Sequence, residues 1–262
     1  MKKRSPIIIN VPHSSTFIPD EERKLFAEEK IDHELLVMTD HYCNDIFDAG
    51  YEMIRFPVSR LVCDLERFRN DEDEVMSTKG MGACYKSCSD LTPLRYISND
   101  HREELLKQYY DSYHKVLELA VAERLGQYGH AIIVDGHSFP YKPLPYELNQ
   151  DNDRPDICIG TDEFHTPGEL TERLCNAFEG MGYRVAVNTP FAGALVPMKY
   201  YQRDKRVISV MIEINRRLYM NGHGEITAGY EMLRENIRSI FIVLDATDAI
   251  CFSASREKER SI

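Results

Sequence analysis

Three near-continuous aliphatic runs constrain this chain more than any other feature. Ile7-Ile8-Ile9 leads into Val11-Pro12-His13-Ser14, and Ala131-Ile132-Ile133-Val134 into Asp135-Gly136-His137-Ser138. In the third run, Val207, Ile208, Val210, Ile212 and Ile214 surround Glu213. Runs that are apolar at successive positions suit strands buried on both faces, as in the middle of a parallel sheet. Further strands are predicted at 51–56, 60–64 and 183–188. Helical patterns fill the gaps: one starting at Asp20, one over "DHELLVMTDHYCNDIFDAG", and one from a Ser98 or Asn99 cap to Gly126 or Gly129. "TPGELTERLCNAFEGMG" and "TAGYEMLRENIRSIFIVLDA" supply two more. This alternation predicts an α/β fold: a three-layer α/β/α arrangement with a mixed, mostly parallel central sheet.

At 262 residues, 43% hydrophobic, the chain suffices for one large domain, expected over 1–250, followed by a polar tail at 251–262. A formal net charge of −11 argues against a nucleic-acid surface but leaves room for a local basic pocket. No stretch reaches the about 18 apolar residues of a membrane span. The apolar segment after Met1-Lys2-Lys3-Arg4 is shorter than the about seven residues of a signal-peptide core. A cytoplasmic protein is therefore expected. Its seven cysteines read as free thiols, since Cys84 and Cys88 form a lone C-x3-C pair and no second pair completes a zinc site. Two long irregular stretches, 65–97 and 138–167, have the character of lids or binding loops, or of disordered insertions.

The histidines that end the first two runs, and the glutamate inside the third, can converge if their strands are neighbours. Ligand sites in open α/β sheets lie beyond the carboxyl ends of the strands. Two imidazoles and a carboxylate are the ligands of a catalytic Zn2+ with one open position. His13 and His137 supply the nitrogens; the alternative is that each imidazole merely satisfies a carbonyl at a strand end. Thr16 stands where an H-x-x-E motif would have its acid, so the third ligand must come from elsewhere. Asp40 is our choice, with Asp20 and Asp45 behind it and His41 beside it. Glu213, on a core strand, is either the general base for a metal-activated water or half of a buried ion pair with Arg216 or Arg217. "VSRLVCDLERFRND" concentrates Arg60, Asp64, Arg67 and Arg69, which reads as a clamp for a carboxylate or as a solvated charged loop.

Taken together, "VPHSS", Thr39-Asp40, "SRLVCDLER", "VDGHS", "PDICIGT" and "IEINRRLYM" resemble, in order and spacing, the N-formylglutamate amidohydrolases over residues 7–221. The resemblance implies a zinc carboxypeptidase-like fold and a zinc-dependent amidohydrolase acting on an acidic N-acyl amino acid, in amino-acid catabolism of the histidine-degradation kind. It implies zinc held by His13, His137 and Asp40, Glu213 as the base, and Arg60 as a second anion contact or carbonyl polariser. Arg67 would receive the substrate carboxylate, with Asp64, Ser138 and Gly193 around the substrate. A monomer or homodimer is expected, with neither nucleic acid nor membrane as partner. Glu66 stands where the family usually has asparagine, and Asn44 where it has aspartate. Three rival readings stand beside it: a metallocarboxypeptidase-like hydrolase acting on a peptide with the same metal centre, a non-catalytic binding protein on the same fold, and an amidase built on Cys63.

Overall fold

The computed structural model describes residues 3–259. Six strands form one sheet: β1 (Ile7–Val11), β2 (Glu52–Arg55), β3 (Ala131–Phe139), β4 (Ile157–Gly160), β5 (Val185–Val187) and β6 (Val207–Asn215). Their spatial order is β2-β1-β3-β6-β4-β5. All pairings are parallel except β4 against β6. The three aliphatic runs are thus consecutive inner strands, each buried along its whole length, as unbroken apolarity requires.

Helices α1 (Asp20–Arg23), α2 (Glu28–Met38), α3 (Cys43–Ile46), α4 (Asn99–Leu105), α5 (Ser112–Tyr128), α6 (Gly168–Gly180) and α7 (Tyr230–Glu259) surround the sheet, and a π-helical turn, Leu106–Asp111, joins α4 to α5. The strands' two-residue alternation divides the core. Ile7, Ile9, Ile132, Val134, Ile208, Val210 and Ile212 pack with residues of α3, α6 and α7 on one face. Ile8, Ala131, Ile133 and Val207 meet residues of α2, α4 and α5 on the other. The expected three-layer mixed α/β fold is therefore present, with helices on both faces of a six-stranded sheet.

Four details depart from expectation. Residues 60–64 form no strand: Leu61, Val62 and Cys63 are buried, but in an irregular segment. "PDICIG" contains β4, a strand too short for its pattern to distinguish from loop. The helix expected across 32–50 breaks at Thr39-Asp40 into α2 and α3, and the break turns Asp40 inward, where it is 1% exposed. α7 continues through Glu259 into the segment read as a tail; residues 260–262 of that segment lie outside the described residues. Among the described residues no helix is long and apolar enough to cross a membrane.

Candidate active site

On the α5-facing side of the sheet, apolar residues give way to polar ones toward the strands' carboxyl ends. Ile8 is followed by Asn10, Ile133 by Asp135 and His137, and Val207 by Ser209, Met211 and Glu213, all two residues apart and so on one face. In the β3–β6 register His137 lies directly opposite Glu213, and Cys158 flanks Glu213 on its other side. His13 follows β1, the neighbour of β3. Gly136, between Asp135 and His137, points to the opposite face, where a Cβ would come within 2.8 Å of the Phe47 ring. A glycine there lets β3 stay flat against α3 while both its polar neighbours face the site.

The two imidazoles stand with ring centroids 5.1 Å apart. His13 Nε2 meets Asp64 Oδ1 at 2.9 Å, so Nδ1 faces the site, and that atom has no hydrogen-bond partner among the described residues. His137 Nδ1 is 3.1 Å from Asp40 Oδ2, and the same oxygen is 3.7 Å from His13 Nδ1. On the far side of its ring, His137 Nε2 is 3.0 Å from Glu66 Oε2 and 3.1 Å from Asp135 Oδ1. Ligand atoms of His13, Glu66 and His137 lie within 4.8 Å of one another, buried or half-buried. Asp40 is itself oriented: Arg216 Nη2 donates to its Oδ1 at 3.0 Å, while Arg216 Nε donates to Ser138 Oγ, also at 3.0 Å.

This cluster favours positive charge. Burial lowers the His137 pKa, but Glu66, Asp135 and Asp40 outweigh it and hold the imidazole well above its ordinary value. For His13, burial and Arg60 pull downward and are outweighed by Asp64 and Asp40. Donors of this kind fit a divalent cation. The 3.1 and 3.7 Å separations from Asp40 Oδ2 bracket the roughly 3.4 Å between ligand atoms of a tetrahedral zinc. Each imidazole also has a carboxylate on its outer nitrogen, Asp64 behind His13 and Asp135 behind His137, the usual support of a metal-binding histidine.

Glu213 is 8% exposed and is not the ion pair that its burial suggested. Arg216 is engaged by Asp40 and Ser138, and Arg217 pairs with Asp156 at 2.7 Å. Glu213 Oε2 has no hydrogen-bond partner among the described residues. Burial pushes its carboxyl up to about 8, His137 pulls it down, and Asp40 and Glu66 add to the rise.

A cavity of about 500 Å³ opens above these groups, lined among others by His13, Asp40, Arg60, Arg67, His137 and Glu213. The two irregular stretches meet over it. Val75 and Met76 come from one, Leu144 and Tyr146 from the other, and Lys79 Nζ ties them by donating to Tyr146 O at 2.6 Å. The second stretch is held in shape by Arg154, fully buried and paired with Glu147. Both segments are therefore ordered cavity walls.

The clamp residues separate into different roles. Asp64 corrects its expected place around the substrate: it is 0% exposed and does not reach the cavity. Its oxygens accept from Arg60 Nη2 (2.7 Å) and Nε (3.2 Å), Tyr85 Oη (2.5 Å) and the Glu66 amide (3.0 Å), besides meeting His13. Burial would raise its pKa, but Arg60, His13 and Arg67 hold it well below the usual carboxylate range. Arg60 lines the cavity with two of its donors occupied. Arg67 lines it too, its Nε 3.8 Å from Asp64 and without a hydrogen bond. Arg69 faces outward to Asp111 and Glu103. Ser138 borders the cavity with its hydroxyl engaged by Arg216. Gly193 borders a neighbouring cavity, with φ +98° in the left-handed region. Asp20 and Asp45 are absent from the cavity lining; Asp45 pairs with Arg234. His41 binds the Leu35 and Leu36 carbonyls. Cys63 is fully buried, and Cys84 and Cys88 are free thiols outside the metal-competent group.

Residues 5–220 match the model of the N-formylglutamate amidohydrolase family. The chain belongs to that family. The N-formylglutamate deformylase of Pseudomonas aeruginosa is 26% identical over 231 residues, covering 83% of each protein. The crystal structure of an N-formylglutamate amidohydrolase from Ralstonia eutropha superimposes with a TM-score of 0.79 at 21% identity, over 92% of this chain and 93% of that one. Gene product Atu2144 of Agrobacterium tumefaciens follows at 0.66 and 17%, over 93% and 92%. Both share the fold. Membership places the chain among the hydrolases.

Sequence reasoning passed over Asp135, Asn10 and Arg216 as parts of the site. Asn10 Nδ2 donates to Asp135 Oδ1 at 2.7 Å, and Tyr113 Oη donates to Asn10 Oδ1 at 2.6 Å. The available signal was polar residues on otherwise apolar strands, in step with His137 and Glu213.

Proposed function

We propose that this family member hydrolyses the amide of an N-formyl, or other small N-acyl, amino acid with the help of one zinc ion. The observation that carries the reading is the unpartnered Glu213 Oε2 directly across the β3–β6 ladder from the His137 of a histidine–carboxylate cluster. His13 through Nδ1, His137 through Nδ1 and Asp40 through Oδ2 would hold the metal. The alternative set replaces Asp40 by Glu66 and uses His137 Nε2, the ring nitrogen 3.0 Å from Glu66 Oε2; it is favoured by the place of Glu66 in the metal-competent group with the two histidines. A divalent cation there supplies Lewis acidity and makes a water easier to deprotonate.

The chain's own residues do the remaining work. Glu213 takes a proton from the attacking water at Oε2 and returns it to the leaving nitrogen. A carboxyl raised toward neutrality by burial can do both, since it neither holds its proton too tightly nor releases it too readily. Arg67, whose Nε has no hydrogen bond among the described residues and lies 3.8 Å from Asp64, receives the substrate carboxylate. Arg60, fixed by Asp64, stabilises negative charge on the carbonyl oxygen. The walls contributed by Met76, Leu144 and Tyr146 restrict water.

Zinc-loaded protein incubated with N-formyl and N-acetyl amino acids should release formate or acetate together with the free amine. Failure to cleave any of them would remove the reading. Asp40→Asn and Glu66→Gln, compared for metal content, separate the two ligand sets: the true ligand's variant loses the ion.

A further inference from the structure

The hydrogen bonds behind His137 run outward to Tyr113, a residue that does not line the cavity. Asn10 is 0% exposed and stands in register with Asp135 across the β1–β3 pairing. A buried side-chain amide needs partners at both ends, because an unsatisfied polar group is costly there. Its Nδ2 donates to Asp135 Oδ1 at 2.7 Å and to Glu66 Oε1 at 3.4 Å. These are the two carboxylates that meet His137 Nε2, at 3.1 and 3.0 Å. Carboxylate oxygens need a donor, so the amide nitrogen must face them and Oδ1 must point away. There Oδ1 accepts from Tyr113 Oη at 2.6 Å. The Tyr113 hydroxyl has one proton and a second acceptor within reach, Ile54 O at 3.5 Å; the shorter contact places the proton on the bond to Asn10.

Tyr113 is itself held firmly. It is the second residue of α5, 6% exposed, and its ring meets Phe56 edge-on at 5.8 Å. The π-helical turn Leu106–Asp111 ends two residues earlier, and such a turn changes which side chains the following helix aims inward. The ring packs without help from its hydroxyl, so the hydroxyl acts at Asn10. Without that donor, Asn10 can turn its amide end for end. Oδ1 would then face the Asp135 and Glu66 carboxylates, and repulsion would move them off the edge of the imidazole. A metal-binding histidine depends on such an outer contact to keep its ring aimed.

We propose that Tyr113 is a positioning residue for the metal centre, acting through Asn10 and Asp135 to keep His137 Nδ1 turned toward Asp40. This rests on the metal reading above, with Asp40 as the third ligand. Zinc affinity of the metal-stripped protein, measured by competition with a chromophoric chelator, tests it without any substrate. Asp135→Asn should weaken zinc binding by about 10- to 100-fold, and Tyr113→Phe, two hydrogen bonds further out, by about fivefold or more. Asn10→Ala should weaken it at least as much as Tyr113→Phe. Adding Tyr113→Phe to Asn10→Ala should then change nothing further, because the relay is already broken. A hydroxyl with a purely structural role would lower the melting temperature and leave the zinc constant alone. Unchanged or tighter zinc binding by folded Tyr113→Phe, or fully additive losses in the double variant, would overturn the relay while leaving the hydrolase reading intact. If the wild type binds no zinc, the metal reading fails and the relay fails with it. If it binds zinc but cleaves no N-formyl amino acid, only the hydrolase reading fails, and the zinc constants still decide the relay.

Discussion

Replacing Glu213 by glutamine should make the protein more stable and nearly inactive at once. The carboxyl sits between His137 and Cys158 in the sheet, 8% exposed, with its pKa moved from 4.5 to about 8 by burial. At 1.36 kcal/mol per pH unit, that displacement corresponds to roughly 5 kcal/mol against ionising Glu213 in the folded protein. The folded-state pKa lies above the unfolded one. The unfolded chain therefore releases this proton as pH rises past 4.5, while the folded chain keeps it until about 8. Over that window wild-type stability declines, by up to roughly 5 kcal/mol for this group alone. Glu213→Gln has no proton to lose. In metal-free protein, denaturant unfolding should show the variant gaining on the wild type steadily from pH 5 to pH 8. Metal-loaded, the same variant should keep its zinc and substrate affinity while kcat falls by about two to four orders of magnitude. A variant less stable than wild type at pH 8, or one with near-normal turnover, would make Glu213 a structural residue instead of the base. Loss of zinc would make it a ligand.

Other positions test the surroundings of the site. Asp64→Asn removes the charge that holds His13, Arg60 and Tyr85, and should weaken zinc binding about 10- to 100-fold in a metal titration. It should also cost on the order of 3 kcal/mol in unfolding experiments, because Arg60 is left buried without its counter-charge. Arg67→Ala should raise KM for N-formyl amino acids while leaving metal content intact; an unchanged KM would move the carboxylate contact elsewhere. Burial lowers the His114 pKa from 6.5. The unfolded state therefore binds a proton first as pH falls below 6.5, and stability declines in that direction. His114→Gln should flatten this acid-side decline in thermal melts between pH 7 and pH 5.

The sheet's centre and the two histidines were legible because unbroken apolarity leaves few alternatives, and a histidine closing such a run is conspicuous. Glu213 was legible for the same reason, as a charge inside an apolar strand. Asp40 was harder. It sits in an amphipathic pattern that reads straight through 32–50, and only the break between α2 and α3 brings it inward. Asp64 illustrates the opposite difficulty. A carboxylate among three arginines looks like part of a substrate clamp, yet its burial makes it the post on which Arg60 and His13 are hung. Arg216 was weighed as a partner for Glu213. The strand geometry instead sends its guanidinium across to Asp40 and Ser138, a long-range pairing that no local pattern encodes. The four-residue strand β4 was missed because so short a segment carries too little periodicity, and its antiparallel direction is set by the sheet around it.

The central claim is that His13 and His137 hold a catalytic metal beside Glu213. It is tested most directly by stripping the protein with a chelator, titrating zinc back, and following formate release from an N-formyl amino acid alongside bound metal. The stripped protein should show no turnover, and activity should rise with occupancy to a plateau at one ion per chain. His13→Ala and His137→Ala, both folded, should neither bind that ion nor regain activity. Full turnover by metal-free protein, or one tightly bound ion in both histidine variants, would contradict it.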